Sequence, residues 1–478
     1  MIVDGIDIQG LTADSRTVEP GDLFAAIPGT VHDGRDFIGD AVDRGAVGVL
    51  APRGTQAAVP VIGSNDVRLD YARIAAQLHP DQPATLVAMT GTNGKSSTVE
   101  FLRQIWARTG HRAAAFGTLG VTSERGHSPL THTTPDAVAL HKTLSRLARD
   151  GVTHAAMEAS SHGLKQRRLH GVKLAAAGFS NLSQDHFDYH PTPEDYFESK
   201  ALLFTELLPP GRPAIVNVDG EAGARMAEIA QARGQDVRRI GWQGEALRID
   251  EIVPRAASQD LVLVAEGRRH ALELPLAGEF QALNAVQAIA LAVATGVALE
   301  DALDAARALH GVSGRLEPVG ATASGAPVFV DFAHTEDGLD KLLRSVRPHT
   351  LGRVVLVIGC GGDRDATKRP RMGAVAARLA DSVIVTDDNP RTEDPAAIRR
   401  AVLDGVAREG GEASEIGDRR AAIREGLSRL EAGDCLVIAG KGHETGQIVG
   451  TEVHPFSDQD EVRAALSGAN ATPQGDSR

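Results

Sequence analysis

Residues Ala84–Ser97 read ATLVAMTGTNGKSS. Ala84–Met89 is a short apolar run with β-branched content, the length of one buried strand. Gly91, Asn93 and Gly94 break it. Lys95–Arg108 follows, with Val99, Leu102, Ile105 and Trp106 at helical spacing and Gly110 as a C-terminal stop. Strand, glycine turn and helix form the setting of a phosphate-binding loop. Backbone N–H groups at a helix N-terminus point at an anion, glycines let the backbone come close, and a lysine adds a mobile positive charge. The pattern G-x-x-x-x-G-K-[ST] is incomplete, because Met89 stands where its first glycine would fall; Gly94, Lys95 and Ser96 fit the rest. In this reading Lys95 reaches the β/γ-phosphates of a nucleotide and Ser96 places its hydroxyl on magnesium. The competing reading is a glycine-rich turn beside a surface lysine.

Working outward, 478 residues are too many for one ordinary domain and imply roughly three. The 42% hydrophobic content fills buried cores, while Ala and Gly favour close helix–sheet packing. A formal net charge of −13 argues against a general binder of nucleic acid or anionic membrane, so any anionic substrate must meet local basic groups. Cys360 and Cys435 lie far apart and form no C-x-x-C, so no disulfide framework is implied. The start MIVDGIDIQGL has no basic region followed by an apolar core, and no run of 18 apolar residues occurs. A cytoplasmic protein without a membrane span is expected.

The fold class expected is α/β in three domains. Residues 1–84 read as a small N-terminal α/β domain with strands in VGVLA and VPVIG, and Pro80 and Pro83 mark a break before residue 85. Residues 85–311 read as a central parallel-sheet ATPase domain built on the phosphate loop, with strands at 113–117, 154–158, 175–180 and 214–218 separated by helices. Residues 312–466 read as a Rossmann-like C-terminal α/β domain. Its strands lie in FVDFAH, VVLVIGCGG, SVIVTDDNPR and CLVIAGKGHE, each followed by a polar or glycine-bearing loop. Residues 467–478 read as a disordered tail. Parallel sheets bind ligands off the carboxyl ends of their strands, so the groups just after each strand are the candidates for chemistry.

Glu158 ends the strand HAAME; it either faces the phosphate loop and holds magnesium or is a solvent-facing glutamate. Asn181–His190, NLSQDHFDYH, carries two aspartates and two histidines, and His186 is the candidate for a single metal contact. Tyr196, Lys200, Leu203 and Leu207 fall on one helical stripe. Lys200 is then either a snorkelling lysine or a buried amine, which loses its proton and can react with carbon dioxide to form a carbamate. Gln166, Arg167, Arg168 and His170 cluster after Glu158, while Arg364 and Arg391 follow strands of the third unit. Arginine forks suit carboxylates.

Together these residues resemble the Mur ligase family of ATP-dependent amide ligases, which build peptidoglycan precursors; the resemblance covers nearly the whole chain. MTGTNGKSS, MEASSHGLKQRRL and FSNLSQDHFDYH look like consecutive family blocks. EDYFESKALLF places Lys200 where the family carries a carbamylated lysine. The resemblance implies ATP at Thr90, Gly91, Thr92, Asn93, Gly94, Lys95 and Ser96, with further nucleotide contacts at Asn284, Arg315 and Asp331. It implies catalytic roles for Lys95, Glu158, His186 and Lys200, and magnesium, or manganese, on Ser96, Glu158, His186 and the Lys200 carbamate. Ser15 and Thr30 resemble contacts to the UDP end of UDP-N-acetylmuramoyl-L-alanyl-D-glutamate. Thr133, Thr134, Ser160, Gln166 and Arg168 resemble contacts to its muramoyl-dipeptide. Asp388-Asn389-Pro390-Arg391 resembles the loop of members that add meso-diaminopimelate. Arg364 and Arg391 can pair with the far carboxylate that lysine lacks, and Gly440 and Glu444 would receive other polar groups of the same amino acid. A monomer is expected, with substrates between the domains and hinges near residues 84 and 311.

Overall fold

A computed structural model describes residues 1–29, 32–130, 132–183 and 190–469. The chain packs into two compact units, residues 1–249 with 284–305, and residues 250–283 with 306 onward. The N-terminal stretch therefore packs in one unit with the phosphate loop, while residues 250–283 join the C-terminal part.

In the first unit, β1 (Gly10–Thr12), β2 (Asp22–Ala25), β3 (Gly48–Pro52) and β4 (Val61–Ser64) pair parallel in chain order. Helix α1 (Val67–Leu78) covers them, started by Asp66, whose carboxylate accepts the Leu69 N–H at 3.0 Å. Leu11, Leu23, Leu50, Tyr71 and Ile74 form the core here, joined by Ala137 and Val138 from farther along the chain.

The phosphate strand is β5 (Thr85–Thr90), and α2 (Lys95–Arg108) follows the glycine turn, both within a residue of their expected bounds. Helix α2 buries Val99, Phe101, Leu102, Ile105 and Trp106. Next come β6 (Ala113–Gly117), β7 (Gly120–Ser123), β8 (Gly126–Ser128), α3 (Ala137–Arg149) and β9 (His154–Glu158). Then follow β10 (Ala176–Phe179), α4 (Pro193–Leu202), β11 (Pro213–Asn217), α5 (Glu221–Ala232) and β12 (Asp236–Gly241). The strands of the first unit from β5 up to residue 241 lie in the order β8-β7-β6-β9-β5-β10-β11-β12. Strands β6 and β9 through β12 run parallel with β5; β7 and β8 form an antiparallel margin. β5 sits between β9 and β10, so the loops after these three strands emerge side by side. Small residues in β6, β9 and β10 let flanking helices approach, while Phe116, Leu140, Leu144, Met157, Phe179 and Phe204 supply bulk.

The second unit contains β16, β17, β18, β19, β20 and β21 (Glu317–Ala321, Pro327–Asp331, Val354–Cys360, Ser382–Asp387, Ala413–Glu415 and Cys435–Ala439) in the order β16-β17-β21-β18-β19-β20. Earlier in the chain, β13 (Leu247–Pro254) begins in the first unit, and β14 (Gln259–Ala265) and β15 (Arg268–Leu274) form an antiparallel pair within the second. All but β16 in the six-stranded sheet run parallel. Apolar clusters lie on both faces, as a doubly covered parallel sheet requires. The last helix, Asp458–Ala469, carries three residues into the stretch read as a tail; residues 470–478 lie outside the described residues. Cys360 and Cys435 are buried free thiols. Among the described residues no helix is long and apolar enough to cross a membrane.

Candidate active site

The turn after β5 is built to bring backbone close to a ligand. Gly94 adopts φ 87°, and a Cβ there would lie 2.2 Å from Asn284 Oδ1. Only glycine satisfies both conditions, and the same contact sets Asn284 against the loop. The segment after β10 braces it: Asn181 O accepts the Thr92 N–H at 2.8 Å, Asn181 Oδ1 accepts the Asn93 N–H at 3.1 Å, and Ser180 Oγ donates to Asn93 O at 2.6 Å. Lys95 Nζ donates to Gly91 O at 2.9 Å and to Thr92 O at 2.8 Å.

Glu158, at the end of β9, is buried rather than solvent-facing, at 2% exposure. Its Oε1 accepts from Ser96 Oγ and from the Thr118 N–H, each at 2.8 Å, and Oε2 accepts from Thr118 Oγ1 at 3.2 Å. Gly117 makes room for it, since a Cβ there would sit 2.2 Å from Oε1. A serine hydroxyl and a buried carboxylate are hard oxygen donors, the set magnesium takes, so these residues fit the ion.

Lys200 does not snorkel. It is 1% exposed on α4, its Nζ donates to Gly91 O at 2.9 Å, and it lies 4.2 Å from the centre of the Tyr196 ring. Two lysines thus converge on one carbonyl of the phosphate loop. The helical stripe Tyr196, Lys200, Leu203, Leu207 runs along α4 and the wider turn Leu203–Leu207 that follows it, and Leu203 is buried as its place on the stripe required. His186 lies outside the described residues. Among the described residues no group of three His, Cys, Asp or Glu is placed to hold a metal.

On the far side of Glu158 the expected dipeptide residues form one network. Thr134 Oγ1 donates to Glu158 O at 3.0 Å and accepts the Ser160 N–H at 3.0 Å. Thr133 and Thr118 hydroxyls meet at 3.0 Å. Arg168 Nη1 donates to Thr134 O at 2.6 Å, and its Nη2 to Gln166 Oε1 at 2.7 Å. Arg167 and His170 are a correction to the basic cluster. Arg167 pairs with Asp66 at 3.4 Å and with Glu206, and His170 meets Glu206 at 3.1 Å, so both serve packing between elements. Ser15 is buried in the turn Ser15–Thr17, capped by Asp14. Thr30 lies outside the described residues.

In the second unit, Asp331 ends β17. Its carboxylate accepts the Leu316 N–H at 2.6 Å and the Ala333 N–H at 2.7 Å, and Arg315 lies 5.0 Å over the Phe332 ring. Burial pushes the Asp331 carboxyl up, against the pull of Arg315. After β19, Pro390 O accepts the Glu393 N–H at 3.2 Å. Arg391 Nη1 donates to Gly362 O at 2.7 Å. A Cβ on Gly361 would lie 3.0 Å from Arg391 Nη1 and 3.9 Å from Arg364 Cγ, so the two arginines flank one glycine turn, with Arg364 exposed. Asn389 Nδ2 donates to Glu444 Oε2 at 2.8 Å. Gly440 holds φ 114° beside Asp388, whose carboxyl burial pushes up while Arg419 and Lys441 oppose the shift. The sequence does not single out Lys441, because a loop lysine reads as exposed. Its setting between Gly440 and Gly442, straight after an apolar strand, was the available signal.

Three family models match the chain, each on one of the sheets described: the Mur ligase family catalytic domain over residues 7–85, the Mur ligase middle domain over 89–292, and the Mur ligase glutamate ligase domain over 314–442. A protein of Caulobacter vibrioides named UDP-N-acetylmuramoyl-L-alanyl-D-glutamate–2,6-diaminopimelate ligase is 52% identical over 97% of this chain and 96% of its own. A protein of the same name from Mesorhizobium japonicum is 51% identical over 96% and 95%. A solved structure titled as that ligase superposes with a TM-score of 0.75 at 34% identity, covering 97% of this chain and 96% of its own. With three family models matched along its length and half its residues shared over nearly the full chain, the protein belongs to the Mur ligase family.

Proposed function

We propose that this protein is an ATP-dependent ligase that joins meso-diaminopimelate to the D-glutamyl γ-carboxylate of UDP-N-acetylmuramoyl-L-alanyl-D-glutamate. One observation carries the reading: Glu158 bonds Ser96 of the phosphate loop through its side chain and Thr134 of the expected dipeptide set through its backbone. A nucleotide phosphate and the dipeptide carboxylate that accepts its phosphoryl group, bound on these two sides, would meet at Glu158. The names of the near-full-length relatives supply the substrates.

The γ-carboxylate oxygen attacks the γ-phosphorus of ATP; the bond to ADP breaks and an acyl phosphate forms. The diaminopimelate amine attacks that carbonyl, a tetrahedral intermediate collapses, phosphate leaves, and the amine proton passes to solvent. Thr90–Ser96 cradle the nucleotide phosphates, Lys95 offsets their charge, and Asn284, Arg315 and Asp331 bind the rest of the nucleotide. Thr133, Thr134, Ser160, Gln166 and Arg168 orient the dipeptide, and Ser15 and Thr30 hold its UDP end. Asp388–Arg391, Arg364, Gly440 and Glu444 select the amino acid. Magnesium, which Ser96, Glu158, His186 and Lys200 would hold, neutralises phosphate charge when bound. Lys200 would do so as a carbamate: its neutral Nζ adds to carbon dioxide and releases a proton. By function the chain divides at residues 84 and 311, a division distinct from its two compact units, and the protein acts as a cytoplasmic monomer. Phosphate release from ATP tests the reading. Release is expected only when both co-substrates are present, and release without either of them would mark a nucleotide switch instead.

A further inference from the structure

Lys441 follows β21, fully buried at 0% exposure. An ammonium is rarely withdrawn from water without partners of opposite charge. Its Nζ donates to Asn389 Oδ1 at 2.9 Å and to Glu444 Oε2 at 3.2 Å, and lies 3.9 Å from Asp388 Oδ1. All three partners belong to the amino-acid set, so one cation ties the loop after β19 to the loop after β21. Asn389 completes the arrangement: Oδ1 also accepts the Ile448 N–H at 2.9 Å, and Nδ2 donates to Glu444 Oε2. That oxygen is therefore claimed twice, while the Glu444 side chain keeps 36% exposure. Behind Asp388 stands the buried pair Arg419–Asp458, joined at 2.7 Å and 2.8 Å.

We propose that Lys441 is a positioning residue of the amino-acid site. It fixes the carboxylate of Glu444 and the amide of Asn389 in one orientation and holds two nearby carboxylates, Asp388 and Glu444, in a single small site. It does not touch the substrate; it sets the side chains that do. This inference rests on the assignment of Asp388, Asn389 and Glu444 to amino-acid recognition. Without Lys441, Glu444 and Asp388 lose the cation set between them and Asn389 loses a donor.

The test is steady-state kinetics of Lys441→Met and Lys441→Gln, varying ATP, UDP-N-acetylmuramoyl-L-alanyl-D-glutamate and meso-diaminopimelate in turn. The KM for diaminopimelate is expected to rise about 10-fold or more in K441M, and less in K441Q, which keeps a donor toward Asn389; the other two KM values should stay within about two-fold. The double variant K441M/E444Q should lose no more than the worse single variant, because both changes disable the same carboxylate. An unchanged KM for diaminopimelate, an equal rise in all three KM values, or failure of both single variants to fold would overturn the positioning role. If the unaltered protein makes no product with diaminopimelate, the functional assignment itself fails, and the wild-type control separates that outcome from the others.

Discussion

Lys200 shows what a single position can and cannot disclose. The stripe Tyr196, Lys200, Leu203, Leu207 establishes which face of the helix the lysine shares, but a periodic pattern carries no information on depth. Burial of the Nζ against Gly91 O removes the solvent-reaching alternative and puts the side chain on the phosphate loop. A carbamate there would place an anion where a cation-binding group is needed. Lys200→Ala should lower kcat by about 100-fold or more, and a short carboxylate such as acetate should restore part of it. The check is phosphate release with and without the added acid; wild-type turnover with none added would contradict the carbamate role.

At the scale of elements, the phosphate turn and β9 each make a separate demand. Gly94→Ala forces a side chain into φ 87° and against Asn284, a strain of about 1–3 kcal/mol. The loop will relax away from that contact, so the KM for ATP should rise several-fold and the melting temperature should fall; an unchanged KM would show that the turn does not hold the nucleotide. β9 opens at His154, packed 5.1 Å from Trp106 and 4.0 Å from His111. Burial, aided by His111, pushes its imidazole down to about 4. The unfolded chain takes that proton near the ordinary value of about 6.5, so the contribution is intact above that pH and is lost as pH falls toward 4. Urea unfolding at pH 7 and pH 5 should show His154→Asn with a shallower loss of stability than the parent, by an amount on the order of 1–2 kcal/mol. Equal slopes would show that His154 titrates as it does in the unfolded chain.

For the whole molecule, the sheets were legible because parallel strands are apolar runs ended by glycine or polar residues. The bounds of β6 and β9 coincide with those read from sequence. The sharing of the chain between units was not legible: residues 250–283 pack with 306 onward, which long-range contacts decide and no local signal marks. The candidate site was legible where residue type and element end coincide, as at the helix start Lys95, the strand end Glu158 and, just past its strand, Asp388. It was hidden where burial reverses the usual habit of a side chain, as at Lys441, and where a basic group is spent on a neighbour, as at Arg167. In the proposed function, Arg364 and Arg391, which flank one glycine turn, would distinguish an amino acid with a second carboxylate from lysine. The most direct measurement is phosphate release from ATP with UDP-N-acetylmuramoyl-L-alanyl-D-glutamate and, in parallel, meso-diaminopimelate or L-lysine. The expected result is turnover with meso-diaminopimelate and a kcat/KM for lysine lower by about 100-fold or more; equal or preferred use of lysine would contradict it.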